Sequence, residues 1–211
     1  MQNKQADALL NRAYSLTSDS DAHELYQEWA ITYDQTMIEG LAYLTPSRTA
    51  ALLAEHISDP NSAVLDVGSG TGLAGEKLKA QGFINLDALD YSQAMLDLAK
   101  RRGIYGALYV ADLNKAIALS DASYDALICT GTFTHAHVGS GCLDELFRIL
   151  KPGGKFACTV HKDVWQEAGF DQKSEQLERD GLIKTLHQEL GIYFETDVEP
   201  QGWYIVWERV L

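Results

Sequence analysis

The chain of 211 residues contains no run of about 18 uncharged apolar residues, so its sequence offers no bilayer-spanning helix. The opening Met1-Gln-Asn-Lys-Gln-Ala-Asp lacks the apolar core of a signal peptide. Cysteine is scarce: Cys129, Cys142 and Cys158 are odd in number and not closely paired. They read as reduced, mostly buried thiols rather than a disulfide framework or a metal cluster, and a cytoplasmic location is expected. Positive charge is also in short supply. Seventeen Lys and Arg face 30 Asp and Glu, a formal charge of −13 that repels a polyanion at long range. The basic run Lys100-Arg101-Arg102 follows an expected helix, where the C-terminal dipole favours cations. Neither nucleic acid nor a membrane is therefore expected as a partner. Internal repeats and low-complexity segments are missing too. The 46% of hydrophobic residues is enough for one full core.

What the chain does have is a glycine turn, Val64-Leu-Asp-Val-Gly-Ser-Gly-Thr-Gly-Leu-Ala74. A strand over Ala63–Val67 runs into Gly68, Gly70 and Gly72 and then a helix over Leu73–Gln81. Glycine is needed where a backbone turns with positive φ and leaves no Cβ between itself and a ligand. About 20 residues on, a second apolar strand ends in Asp90, where a carboxylate can accept from the two hydroxyls of a ribose. The spacing predicts a nucleoside-cofactor site at the carboxyl edge of a parallel sheet. The embedded Gly70-Thr-Gly-Leu-Ala-Gly75 also fits the dinucleotide pattern G-x-G-x-x-G, which keeps an NAD(P)-dependent oxidoreductase in view.

Residues 1–60 pattern as helices without strands. Ser20-Asp21 can cap a helix from His23 through Trp29 to Tyr33, and Pro46 suits the first turn ahead of Arg48–Ile57. Strands and helices then alternate: strand Asn85–Leu89, helix Ser92–Arg102, strand Leu108–Ala111, a loop with a short helix, strand Tyr124–Thr130, helix Gly141–Ile149 and strand Lys155–Val160. Such alternation implies a parallel sheet covered on both faces. After an expected helix over Gln172–Glu189, the runs Ile192–Val198 and Trp203–Val210 predict a closing antiparallel hairpin. The fold class is thus α/β, a Rossmann-like, seven-stranded, mostly parallel sheet. Residues 1–60 are expected as a helical lid and 61–211 as the main domain.

The string Asp66-Val-Gly68-Ser-Gly70-Thr-Gly72 resembles motif I of the class I S-adenosylmethionine-dependent methyltransferases. Leu86-Asp-Ala-Leu-Asp90-Tyr-Ser-Gln-Ala-Met95-Leu is similar to motif II. Val110-Ala-Asp112-Leu113 resembles the adenine-contacting stretch, Tyr124-Asp125-Ala-Leu-Ile resembles motif IV, and Leu150-Lys-Pro-Gly-Gly154 the turn before the fifth strand. Gly131-Thr-Phe-Thr-His135-Ala-His137-Val-Gly139 and Trp29-Ala-x-x-Tyr33-Asp34 are most similar to the small methyltransferase-like proteins of the Williams–Beuren type.

The resemblance implies residue roles. Gly68, Ser69, Gly70 and Gly72 would let backbone approach the methionine part of the cofactor. Asp66 would orient the turn or, through water, meet the cofactor ammonium; it can equally cap loop amides. Asp90 would accept from the ribose, or cap the helix starting at Ser92. Asp112 and the Leu113 amide would bond the adenine, though Asp112 also suits a loop turn. Tyr91 and Met95 would pack on the base, and Met95 suits the core as well. Thr130 and Gly131 would receive the ammonium at the strand exit, and Tyr33 would cover the cofactor. His135, His137 and His161 on the same edge can act as a general base or touch substrate, or serve only as structural polar groups. The pair His135 and His137 has metal-like spacing but no third ligand to complete a set.

The implied reaction is methyl transfer from S-adenosylmethionine, with S-adenosylhomocysteine as product, to an O, N or S atom of a small-molecule acceptor by in-line displacement. Holding nucleophile and methyl collinear at about 3 Å supplies roughly 7–11 kcal/mol, so a base is needed only when the acceptor must lose a proton. A non-catalytic, cofactor-binding partner module is the remaining alternative. Trp203, Tyr204 and Trp207 suit either the core or a dimer contact, so monomer and homodimer both stay open.

Overall fold

Val64 to Val67 are each buried, which a strand covered on both faces requires. A computed structural model describes residues 34, 36, 37, 41–134 and 138–211. Its helices are α1 (Thr45–His56), α2 (Leu73–Ala80), α3 (Gln93–Arg101), α4 (Cys142–Ile149), α5 (Lys162–Glu167) and α6 (Phe170–Arg179). Its strands are β1 (Val64–Val67), β2 (Leu86–Asp90), β3 (Leu108–Val110), β4 (Tyr124–Phe133), β5 (Leu150–His161), β6 (Ile183–Gly191) and β7 (Gly202–Arg209). The seven strands form one sheet in the order β3-β2-β1-β4-β5-β7-β6. Five run parallel, and β7 lies antiparallel between β5 and β6. The order reverses at β1, so the crevice between the carboxyl ends of β1 and β4 is where an open α/β sheet takes a ligand.

Side chains alternate across the sheet. Leu65, Val67, Leu127, Cys129, Phe156 and Trp207 face one layer, where Leu143, Leu146 and Phe147 of α4 and Phe170 of α6 meet them. Val64, Ala126, Ile128, Ala157 and Val206 face the other, against Ala50 and Leu53 of α1 and Ala74 and Leu78 of α2. The expected boundary at 60/61 therefore separates two elements of one core, because α1 is a layer of the sheet. Arg48 of α1 stacks over the Tyr204 ring, 4.2 Å from its centroid, and pairs with Glu189 at 2.8 Å. The rest of residues 1–44, apart from 34, 36, 37 and 41–44, lies outside the described residues.

Four expectations change. The helix expected over Gln172–Glu189 stops at Arg179, Gly181 turns the chain at φ 70°, and Ile183–Gly191 becomes β6. The run Leu182-Ile-Lys-Thr-Leu-His-Gln-Glu-Leu190 carries apolar residues at spacings that suit either period. Pairing with β7 decides for the strand, since one whole side of β7's backbone otherwise lacks partners. Ile192–Val198, expected as a strand, is the connection instead, and the Asp197 carboxylate accepts from the amides of Tyr193 and Phe194 at 2.9 Å. Between β3 and β4 there are only turns, not a short helix. Arg148 pins that segment by donating to the carbonyls of Ile117 and Leu119 at 2.8 Å. Finally, Lys151-Pro-Gly-Gly154 lies inside β5 as an irregularity of its register with β4.

Candidate active site

The turn after β1 is left-handed at each alternate glycine: φ is 64° at Gly68, 53° at Gly70 and 91° at Gly72. The three differ in what surrounds them. A Cβ on Gly68 would collide with the Thr132 hydroxyl at the exit of β4. A Cβ on Gly72 would lie 3.0 Å from the Tyr105 ring, whereas one on Gly70 would meet nothing within 4 Å among the described residues. Gly70 is the glycine that faces open space. Its amide donates to Asp90 Oδ2 at 2.7 Å, and the Ser69 amide donates to the Leu89 carbonyl at 3.0 Å, so β2 holds the turn in place.

Two carboxylates stand under this turn. Asp66 is buried, and its Oδ2 accepts from the Tyr105 hydroxyl at 2.5 Å and the Gly75 amide at 3.1 Å. Burial pushes its carboxyl up to about 7, against the pull of those two donors. Asp66 Oδ1 and Ser69 Oγ are buried polar atoms without a hydrogen-bond partner among the described residues. Burial also raises Asp90, opposed by the amides of Ser92, Gly70 and Tyr91. Asp90 Oδ1 accepts from the Ser92 amide at 2.8 Å while Ser92 Oγ caps α3, so the capping role expected as an alternative is present.

The other expected residues spread along the same edge. Tyr91 is half-exposed beside Asp90, whereas Met95 and Leu113 are buried. Asp112 accepts from the Asn114 amide at 2.9 Å and pairs with Lys115 at 3.0 Å. Partial burial opposes its charge, but those partners hold its carboxyl below the usual range. Thr130 and Gly131 lie in the exit of β4, where the Gly131 amide donates to Thr159 Oγ1 at 3.1 Å. His161 is buried at the end of β5, and its Nδ1 accepts from the Asp163 amide at 3.4 Å as the N-cap of α5. Tyr33, His135 and His137 lie outside the described residues.

A family model described as a methyltransferase domain matches residues 65–158, the stretch from β1 through the core of β5. Methyltransferase-like protein 27 of Homo sapiens is 26% identical over 185 residues, covering 85% of this chain and 75% of that protein. The matched domain and this relative make the chain similar to the class I S-adenosylmethionine-dependent methyltransferases. A ubiquinone biosynthesis O-methyltransferase of Xylella fastidiosa (strain M23) is 30% identical over 117 residues, and this chain spans 47% of its length. Among solved structures, a chain of the complex between the Haloferax volcanii Trm112 methyltransferase activator and a methyltransferase superposes with a TM-score of 0.66 at 20% identity. That match covers 88% of this chain and 98% of the other.

Similarity to these methyltransferases implies S-adenosylmethionine as the methyl donor, and the turn fits it. The space at Gly70 is open among the described residues, and in the same turn the buried Asp66 Oδ1 and Ser69 Oγ lack a partner among them. The dinucleotide pattern dissolves at the same place. Gly75, its last glycine, sits in α2 with the Tyr105 hydroxyl against it and gives its amide to Asp66. Its lack of a side chain serves packing within the protein.

Sequence reasoning missed four contributors. Thr132 and Tyr105 make Gly68 and Gly72 necessary from outside the turn. Arg102, read as a helix end, donates to the Thr71 carbonyl at 2.6 Å and pairs with Glu76 and with Asp34. The Asp34 carboxylate also accepts from the Thr71 hydroxyl, which ties the segment before α1 to the cofactor turn. Tyr43 places its hydroxyl 2.6 Å from where a Gly131 Cβ would be. For Arg102 the signal lay in the basic run, for Thr132 in the strand-four exit and for Tyr43 in the aromatic content of residues 1–60; Tyr105 gave none, and none of the four showed its contact locally, because each acts across the fold.

Proposed function

We propose that the chain transfers a methyl group from S-adenosylmethionine to an O, N or S atom of a small-molecule acceptor at the carboxyl edge between β1 and β4. The observation that carries this reading is the open Cβ position at Gly70 in the turn between β1 and α2, a turn in which the buried Asp66 Oδ1 and Ser69 Oγ lack partners among the described residues. Buried polar groups are ordinarily hydrogen-bonded, so such a pair marks a place for a polar ligand. When bound, the cofactor supplies an electrophilic methyl on a sulfonium. Gly70 would then offer bare backbone to its methionine part, with Gly68 and Gly72 shaping the turn around it and Thr130 and Gly131 at the ammonium end. Asp90 keeps free lone pairs for the ribose hydroxyls after serving Gly70 and Ser92. Tyr91, Met95, Asp112 and Leu113 would border the adenine, and Tyr33 would cover the site from residues 1–44.

On the acceptor side, the quinone-directed names among the relatives support a small molecule. The chain's own work there is to hold a nucleophile in line and exclude water. His135, His137 and His161 are the candidate bases. His161 Nδ1 is engaged in capping α5. Isothermal titration with S-adenosylmethionine, S-adenosylhomocysteine and nicotinamide cofactors tests the proposal. Micromolar binding of the sulfonium pair alone is expected, and binding of a nicotinamide cofactor alone would overturn it. A following acceptor screen separates an enzyme from a non-catalytic module, which would bind cofactor yet turn nothing over.

A further inference from the structure

We infer that Tyr105 is a positioning residue for the cofactor turn: its hydroxyl fixes the Asp66 carboxylate so that Oδ1 and the negative charge are presented to the cofactor. The inference rests on the cofactor reading above. It comes from a division between the two oxygens of one buried side chain. Oδ2 is saturated by the Tyr105 hydroxyl at 2.5 Å and the Gly75 amide at 3.1 Å, whereas Oδ1 has no partner among the described residues. Tyr105 itself is held on three sides. Its ring fills the space a Cβ would need at Gly72, its hydroxyl fills the space beside Gly75, and Arg102 ties the preceding turn to the Thr71 carbonyl. A hydroxyl so confined aims its proton at one acceptor.

The charge on Asp66 then depends on Tyr105. Around Asp66 stand Tyr105 from the loop after α3, the Gly75 amide of α2, Asp90 of β2 and the Cys129 thiol of β4. Arg102 lies beyond Tyr105 and is paired with Glu76 and Asp34. Burial keeps the Cys129 thiol and the Tyr105 hydroxyl protonated, their pKa values raised well above the ordinary ones. Burial lifts Asp66 to about 7, and the largest opposing influence is the Tyr105 hydrogen bond. A hydrogen bond to a charged group is worth enough to move such an equilibrium by about one pH unit or more. Removing the hydroxyl alone would therefore leave Asp66 mostly neutral at pH 7 and weaken its hold on a cationic ammonium.

The test is calorimetric titration of S-adenosylhomocysteine, whose ammonium matches that of the methyl donor, across about pH 5.5 to 9. The wild type is expected to lose affinity on acidification through about pH 7. Tyr105→Phe keeps the ring beside Gly72 and should shift that midpoint upward by about one unit, roughly fivefold weaker binding at pH 7, with recovery near pH 9. Asp66→Asn should flatten the profile, and adding Tyr105→Phe to it should change nothing more. A Tyr105→Phe profile that superimposes on the wild type overturns the role, as does one uniformly weaker at every pH, which would be packing alone. Wild-type protein that binds at no pH overturns the cofactor reading itself, and the inference with it.

Discussion

The turn after β1 and the hairpin that closes the sheet sit at opposite ends of one core and are built by opposite means. In the turn, Gly68, Gly70, Gly72 and Asp90 lie within 25 residues of one another, and two buried polar atoms there lack partners among the described residues. In the hairpin, Trp207 and Tyr204 are fully buried, and Arg48 reaches across from α1 to stack on Tyr204. Unsatisfied polar atoms do not set the two apart, since the buried Trp207 Nε1 also lacks a partner among the described residues; what does is the bare backbone at Gly70 in one region and the large buried aromatic rings in the other. Stability and binding are therefore expected to separate between them.

The sharpest break is Trp207→Ala. Emptying a fully buried tryptophan site should cost about 3–5 kcal/mol in urea denaturation, while the folded fraction keeps its affinity for S-adenosylhomocysteine. Next comes Gly68→Ala, which meets both positive φ and the Thr132 hydroxyl. It should lose roughly 2–4 kcal/mol of stability in the same assay, and cofactor binding with it. Gly70→Ala has the strain without the collision, so about 1 kcal/mol of stability should go. Calorimetry should nevertheless show at least a roughly tenfold loss of binding, because the new methyl enters the open space. Asp90→Ala should match that tenfold loss; unchanged affinity would remove Asp90 from the ribose site.

The smallest effect is a pH dependence. Asp66 has a folded value of about 7, raised from 3.8, so the folded state holds its proton more tightly than the unfolded state. Its contribution to stability is fully present below about pH 4 and is lost as pH rises through about 7. Without cofactor, the wild type should therefore gain thermal stability relative to Asp66→Asn between about pH 8 and about pH 6. A difference that stays constant, or grows with rising pH, would mean that Asp66 is charged at no cost.

The parallel half of the fold was legible because its signals are local. Val64–Val67 is a continuous apolar run before glycines, and Leu86–Asp90 repeats the form, so strand, turn and carboxylate could be placed within a residue or two. The closing hairpin was recognised but misplaced. Leu182–Leu190 fits two periods, and only the open edge of β7 selects one. Arg102 was visible as charge and misread as a helix end, since nothing local says that the Thr71 carbonyl and Asp34 wait for it.

By itself, the sequence determined an α/β sheet, the glycine turn and the likeness to a family, because each is written in contiguous residues whose backbone needs are intrinsic. The tertiary structure alone decided why three of those glycines must be glycines. Thr132 bars a side chain at Gly68, Tyr105 bars one at Gly72 and Gly75, and only Gly70 is left open to a ligand. These are collisions between residues tens of positions apart, and excluded volume exists only once the chain has brought them together.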